Sequence, residues 1–283
     1  MTRAVRTRTH SISPRRYGMD YVPALSYLTE RDFQICADVF DHRFLTTTQI
    51  QQLHFDSSAR ARVRTKQLYD LGVLDRFRPP RQPGSYQWHY VLDLLGVQIV
   101  SDLRDIDADK LYLRRNRPLR LLESPRLDHM RDINEFFCRL TGAGRQNGPF
   151  QVTRWLGEAK SAAVCQELVN PDGIGTITRN ALALDFFFEL DRGTESAGLL
   201  ERKMLGYRRA SIADHLPKLL LFCFASPRRE QSARRILSVG AITIATSTLP
   251  LHLEDPLAPI WLPLNSEQRL SLVDIPLARR EPR

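Results

Sequence analysis

The sequence predicts an α/β protein of two modules: short N-terminal helices closed by a hairpin, then a mixed sheet flanked by helices in the order αβββαβ. Three observations lead there. The 283 residues are 42% hydrophobic and 26% charged, the make-up of a globular chain long enough for one or two domains. Charge divides unevenly, with 20 Lys/Arg against 13 Asp/Glu over residues 1–120 and 21 against 19 beyond them. A basic half joined to a nearly neutral half implies an anion-binding module carrying a different one. Apolar residues at helical spacing dominate up to Leu71, whereas short apolar runs bounded by Gly and Pro dominate from Phe150. No run of about 18 apolar residues occurs, so no helix is expected to span a membrane. The cysteines, Cys36, Cys138, Cys165 and Cys223, are far apart and show no metal spacing. They read as buried free thiols of a cytoplasmic protein, without structural zinc or disulfides.

Residues 1–25 form a basic tail with Arg3, Arg6, Arg8, Arg15 and Arg16. It lacks the apolar stretch of a secretory signal, while a mitochondrial-type presequence or a DNA-binding arm stays open. Over residues 26–100, Thr29 caps a first helix to about His42 that buries Phe33, Ile35, Cys36 and Val39. Thr46-Thr47-Thr48 caps a second, Gln49 to about Phe55. Ser57-Ser58 caps a third that Gly72 stops near Leu71. A basic loop with Pro79, Pro80, Pro83 and Gly84 and a strand-like SYQWHYVL follow. Three short helices and a hairpin with a basic tip make the order of a winged helix-turn-helix.

On the third helix Ala61, Thr65, Leu68 and Leu71 share one side, and Arg62, Val63 and Lys66 the other. Arg60 and Gln67 flank the second group, and Arg64 joins the cationic set. A recognition helix needs such donors, because guanine edges and phosphates are both acceptors. No acidic residue lies between Ser57 and Tyr69, which argues against i,i+4 pairing as the reason for the cluster. Arg76, Arg78 and Arg81 in the wing are expected to touch the backbone of double-stranded DNA.

Residues 101–125 read as a connector, reached by a helix through Leu95, Ile99 and Val100. Over residues 126–265, Leu127, Met130, Ile133, Phe137 and Leu140 make a helical stripe. FQVTRWL, GIGTI and ALALDFFFEL read as three strands, Thr194 to Ala210 as a helix, LLLFCFAS as a strand, then a helix over Arg228–Leu237 and the strand AITIAT. Residues 266–283 read as a tail. Asp172 opens the second strand, and Glu189 and Asp191 close the third with both side chains on one face. Three carboxylates at strand ends are candidate ligands for Mg²⁺. Lys203, inside the apolar stripe of the next helix, must snorkel or find an acid. Glu158 is a candidate for the same cluster, and His129 reads as a packed histidine.

These residues carry a resemblance. Pro171-Asp172, Glu189-Leu190-Asp191 and Lys203 look like the PD-(D/E)xK nuclease superfamily, which implies a restriction-endonuclease-like sheet. It also implies Mg²⁺ held by Asp172, Glu189 and Asp191, with Lys203 positioning water and stabilising charge during phosphodiester cleavage. More narrowly, a winged helix followed by PDG at 171–173, FFFELDRGTES at 186–196 and LLERKMLGY at 199–207 resembles the replication-relaxation family of plasmids and other mobile elements. That resemblance covers most of residues 29–250, and ELDRGTES with the following K-x-x-x-Y is its most specific part. Asp191 stands where the superfamily has its lysine, so cleavage would depend on Lys203 having taken over that role. The superfamily's first-helix Glu has no firm counterpart, since Glu135 points off the apolar stripe and Asn134 lies at its edge.

Two functions follow. One is a DNA-binding protein of a plasmid or integrative element, acting in replication or mobilisation, with a Mg²⁺-dependent endodeoxyribonuclease site. The other is a non-catalytic replication or transcription accessory factor with a degenerate nuclease-like domain. Expected partners are double-stranded DNA and a relaxase or replication initiator, with a homodimer left open and no membrane among them.

Overall fold

The computed structural model describes residues 21–79, 87–108, 121–146, 148–180, 182–193, 195–238, 240 and 242–276. The Arg-rich residues 1–20, Arg81 and Thr194 lie outside them. The chain divides into two compact units, residues 1–47 with 57–124, and residues 48–56 with 125–283.

In the first unit a short helix α1 (Tyr21–Leu25) precedes α2 (Glu30–Asp41). The start of α2 is held by Asp32, whose Oδ2 accepts the Thr29 N–H and hydroxyl, each at 2.7 Å. Strand β1 (Leu45–Thr46) leads into α3 (Thr47–His54), which from Thr48 on belongs to the second unit, and the chain re-enters the first unit at α4 (Ser58–Asp70). Gly72, at φ 78°, supplies the left-handed residue that ends α4. Strands β2 (Leu74–Phe77) and β3 (His89–Leu92) pair antiparallel, and β1 adds to β3, giving the order β1-β3-β2. Phe44, Phe77 and His89 pack their rings at 5.2–6.1 Å beneath this sheet. Helix α5 (Leu94–Arg104) closes the unit, capped by the Asp93 carboxylate and sealed by Ile99 and Val100.

The second unit is a sheet between two helical layers. Helix α6 (Leu127–Arg145) buries Leu127, Ile133, Phe136, Phe137 and Leu140, close to the stripe expected. Residues 48–56 pack in this unit, where Gln49 and Gln52 donate to Glu135 of α6. Strands β4 (Gln151–Gly157), β5 (Gly173–Arg179) and β6 (Leu182–Asp191) form an antiparallel meander, with α7 (Glu158–Val164) between the first two. Helix α8 (Ala197–Ala210) crosses to β7 (Leu219–Phe224), parallel to β6. Helix α9 (Pro227–Arg234) crosses to β8 (Thr243–Thr248), and α10 (Leu249–Glu254) leads to a short edge strand, β9 (Leu262–Pro263). The order is β4-β5-β6-β7-β8-β9.

β6 and β7 are buried on both faces, which is why their sequences are apolar runs rather than alternations. Phe186, Phe188 and Leu190 face α6, where Phe136 stacks on Phe188 at 3.8 Å. Phe187 faces the other way, onto Leu200, Met204 and Tyr207 of α8. The same parity puts Glu189 and Asp191 on the α8 side.

Three sequence expectations change. A short helix, α7, stands between the first two of the three strands expected in succession, on a run, EAKSAAV, rich in good helix formers. Helix α8 begins at Ala197, and its N-cap is Ser196, whose hydroxyl accepts the Leu199 N–H. A serine here can sit in extended backbone and still reach an orphan N–H of the first turn. Leu272 and Ile275, expected from the sequence to lie in a tail, are buried against the α6 face of the sheet. All four cysteines are buried and none forms a disulfide. Among the described residues, no helix is long and apolar enough to cross a membrane.

Gly175 of β5 is opposite Phe186, and a Cβ there would meet the ring at 2.2 Å. Gly175→Ala is expected to destabilise the protein by about 1–3 kcal/mol, because the buried ring has no room to move. Gly198→Ala, in open space on α8, is expected to be neutral or stabilising by up to about 1 kcal/mol. Urea unfolding of both variants measures the contrast.

Candidate functional site

The ends of β5 and β6 carry the acids expected from the sequence. Asp172 immediately precedes Gly173, the residue paired with Phe188, so it sits beside the end of β6. Its Oδ2 accepts the Leu190 N–H at 2.9 Å, and its Oδ1 lies 2.9 Å from His129 Nε2 of α6. Glu189 is 1% exposed. Its Oε1 accepts the Tyr207 hydroxyl at 2.5 Å and its Oε2 the Lys203 ammonium at 2.7 Å, both from α8. Lys203 also donates to Glu195 Oε1 at 2.6 Å. Lys203 and Tyr207 reach the same carboxylate because i and i+4 share a helix face.

Asp191 is not part of this group. Its Oδ2 accepts Nε and Nη2 of Arg229 at 2.9 and 2.6 Å, and its Oδ1 accepts the Gly193 N–H. Arg229 also donates to the Glu195 carbonyl, tying the β6–α8 turn to α9. The expected convergence of three carboxylates is therefore reduced to Asp172 and Glu189, with Glu195 reached through Lys203. Alternation put Asp191 on the correct face, but a guanidinium had already claimed it.

A cleft of about 510 Å³ opens over this end of the sheet, lined by Arg126, Asp128, His129, Glu158, Asn170, Asp172, Arg192, Glu195 and Lys203. Arg126 pairs with Glu158 at 3.0 Å and Arg192 with Asp132 at 2.7 Å. Glu158 thus lines the cleft but serves an ion pair. Glu135 is away from it, held by Gln49 and by Arg139 at 2.6 Å, while Asn134 is buried.

Complete burial, together with the nearby Asp172 charge, pushes the Glu189 carboxyl up to about 7 in spite of Lys203 and Tyr207. Burial pulls the Lys203 ammonium down, yet Glu189 and Glu195 more than offset it and hold it above its ordinary value. The Tyr207 hydroxyl is raised by burial and then by Glu189. Mg²⁺ asks for near-octahedral oxygen ligands. Here both Asp172 oxygens, both Glu189 oxygens and both Asp191 oxygens already accept hydrogen bonds. Among the described residues, no group of three or more His, Cys, Asp or Glu is spaced to hold a metal ion. As arranged, the residues do not fit Mg²⁺.

The first unit carries the cationic candidates. Arg60, Arg62 and Lys66 of α4 are exposed beside Val63, itself 59% exposed, while Ala61, Thr65 and Leu68 are buried. Lys66 pairs with Asp70, one residue beyond the acid-free stretch, so i,i+4 pairing does account for this one cation. Arg64 leaves the set. It turns inward to Asp32, with Nε on Oδ1 at 2.9 Å and Nη2 on Oδ2 at 2.5 Å. A buried carboxylate on α2 needs a counter-charge, and Arg64 is the cation whose side of α4 faces it. Burial opposes ionisation of Asp32, but the hydrogen bonds from Arg64 and Thr29 hold its carboxyl below the ordinary range. Arg76 stacks on the Tyr69 and Trp88 rings at 4.2 Å each, and Arg78 on Trp88 at 4.1 Å. Arg81 lies outside the described residues.

Sequence reasoning missed the roles of His129, Tyr207, Glu195 and Arg229. The K-x-x-x-Y spacing carried a signal for Tyr207. Nothing local announces Arg229 or His129, whose partners are 38 and 43 residues away.

The replication-relaxation family model matches residues 37–215. No curated protein and no solved structure gives a significant match.

Glu189 has a pH signature. The folded chain keeps its proton up to about pH 7, against 4.5 ordinarily, so its contribution to stability is full below about pH 4.5 and lost as pH rises through about 7. The stability of the wild type relative to Glu189→Gln is therefore expected to fall across that window in urea titrations. A difference that stays flat with pH would show that Glu189 is ionised throughout.

Proposed function

Since the chain belongs to the replication-relaxation family, matched over residues 37–215, we propose that it is a DNA-binding accessory protein acting in the replication or mobilisation of a plasmid or other mobile element. The observation that carries this reading is the α4 face on which Arg60, Arg62 and Lys66 flank an exposed Val63. The order of helices followed by a β2–β3 hairpin suits a winged helix-turn-helix in which α4 enters the major groove of double-stranded DNA. Arginine or lysine then reaches guanine edges or phosphates, and Val63 a thymine methyl. Arg76 and Arg78, held on aromatic rings at the hairpin, lose little freedom on meeting a phosphate backbone. A homodimer would present two such helices to a symmetric site, and a relaxase or replication initiator is the expected protein partner.

The second unit suits a nuclease-like αβββαβ fold whose acids serve the fold itself. Lys203 and Tyr207 on Glu189, and Arg229 on Asp191, support an accessory role over cleavage. A second reading is Mg²⁺-dependent cleavage by Asp172, Glu189, Asp191 and Lys203. It is favoured by one observation, that Asp172 and Lys203 line the same cleft beside Glu189.

Arg62→Ala with Lys66→Ala is expected to weaken binding to a mixed-sequence duplex about tenfold or more, and to lower the salt slope by about one for each phosphate no longer neutralised. Gel shifts over a salt series measure both, and an unchanged affinity and slope would refute the reading. Arg64→Ala is expected to leave the salt slope intact and cost about 3 kcal/mol of stability, since it strands Asp32. Supercoiled plasmid incubated with the full chain and Mg²⁺ or Mn²⁺ is expected to stay intact. Nicking that Asp172→Asn abolishes would favour the second reading.

A further inference from the structure

The acids at the cleft are compensated from within the chain, and the compensating group has a specific position. Lys203 Nζ is 2.7 Å from Glu189 Oε2 and 2.6 Å from Glu195 Oε1. These are short charge-assisted hydrogen bonds, and they put the ammonium between two carboxylates, where a cation shared by both would sit. The remaining Glu195 oxygen, Oε2, is buried without a hydrogen-bond partner. Asp172 adds a third negative charge at the cleft wall, while Asp191 is withdrawn by Arg229.

We infer that Lys203 stands in the place of a metal: it is a built-in cation bridging Glu189 and Glu195, and it excludes divalent cations from the cleft of the native protein. The acid that Lys203 joins to Glu189 is thus Glu195, from the turn ahead of α8, and not Asp191 of β6. The ammonium is covalently delivered by α8 and locked by two charge-assisted bonds. An incoming Mg²⁺ or Ca²⁺ must displace it before meeting a free oxygen. Without the ammonium, Glu189 Oε2 and Glu195 Oε1 lose the donor they share beside Asp172, and the crowded acids are relieved either by a proton on Glu189 or, at a pH where it ionises, by a bound cation. This inference rests on the accessory reading of the second unit and is independent of DNA binding by the first.

The experiment is thermal unfolding of the full chain, wild type and variants, with Mg²⁺, Mn²⁺ or Ca²⁺ added at millimolar concentration. The melting temperature of the wild type is expected not to move with any of them. Lys203→Ala is expected to melt lower without divalent cation and to regain several degrees with Ca²⁺ or Mn²⁺, because only the native state binds the ion. Should Lys203→Ala be unfolded without cation, its circular dichroism is expected to return on refolding in Ca²⁺. The double variant Lys203→Met with Glu189→Gln, which removes one charge of each sign, is expected to fold and to ignore divalent cations. A wild type stabilised by Mg²⁺, or a Lys203→Ala that no cation stabilises or refolds, would overturn the inference. Duplex affinity measured on the same folded variants is expected to match that of wild type, so failure here is distinguishable from failure of the DNA-binding reading.

Discussion

A fully buried carboxylate at the end of the central strand governs the second unit. Glu189 stands in line after Phe187 on the α8 face of β6, with Phe222 as its neighbour in the parallel ladder. Removing a charge from water costs several kcal/mol, and only close, well-directed donors offset it. Lys203 and Tyr207 are those donors. This requirement sets the rotation of α8 about its axis, since both side chains must face β6 while Leu200 and Met204 fill the core beside them. It also brings Glu195 inward, because the ammonium has donors to spare after Glu189.

The same logic recurs around the sheet. Asp191 is met by Arg229, Asp132 by Arg131 and Arg192, and Glu230 by Arg269. Each of these acids is answered by an arginine distant in sequence, and Asp132 by its helix neighbour Arg131 as well. The unit is thus close to neutral as a sequence and neutralised pairwise as a structure. In the first unit one buried pair, Asp32 with Arg64, performs the structural task between α2 and α4. The other α4 cations point outward. A surface on which cations outnumber acids is suited to a polyanion, whereas a cleft whose charges already answer one another is not.

Much of this was legible in the primary structure. The β6 run FFFELD announced a strand buried on both faces, and period two placed Glu189 and Asp191 together. A lysine inside an apolar stripe had to snorkel or find an acid, and Lys203 found two, Glu189 and Glu195. The strands β4 to β7, the helical stripe through Ile133, Phe137 and Leu140, and the inward side of α4 all follow from periodicity, which is local, whereas α7, at seven residues, is too short to show a period. Cap positions were less legible: Ser196, not Thr194, starts α8, because serine, threonine and aspartate compete for the same role and only backbone geometry selects among them.

What the sequence alone determined is the class of fold, the strand that carries the acids and the helix that carries the exposed cations, since each depends on spacing within one element. Tertiary structure decided which charges are committed inside the fold. Arg64 and Lys66 are two residues apart and both cationic, yet one is committed to Asp32 across 32 residues and the other stays at the surface beside Asp70. Asp191 and Glu189 share a strand face, yet Arg229 claims the first and Lys203 the second. An ion pair between distant elements leaves no periodic trace, because its formation depends on where the chain returns and not on the spacing of its neighbours.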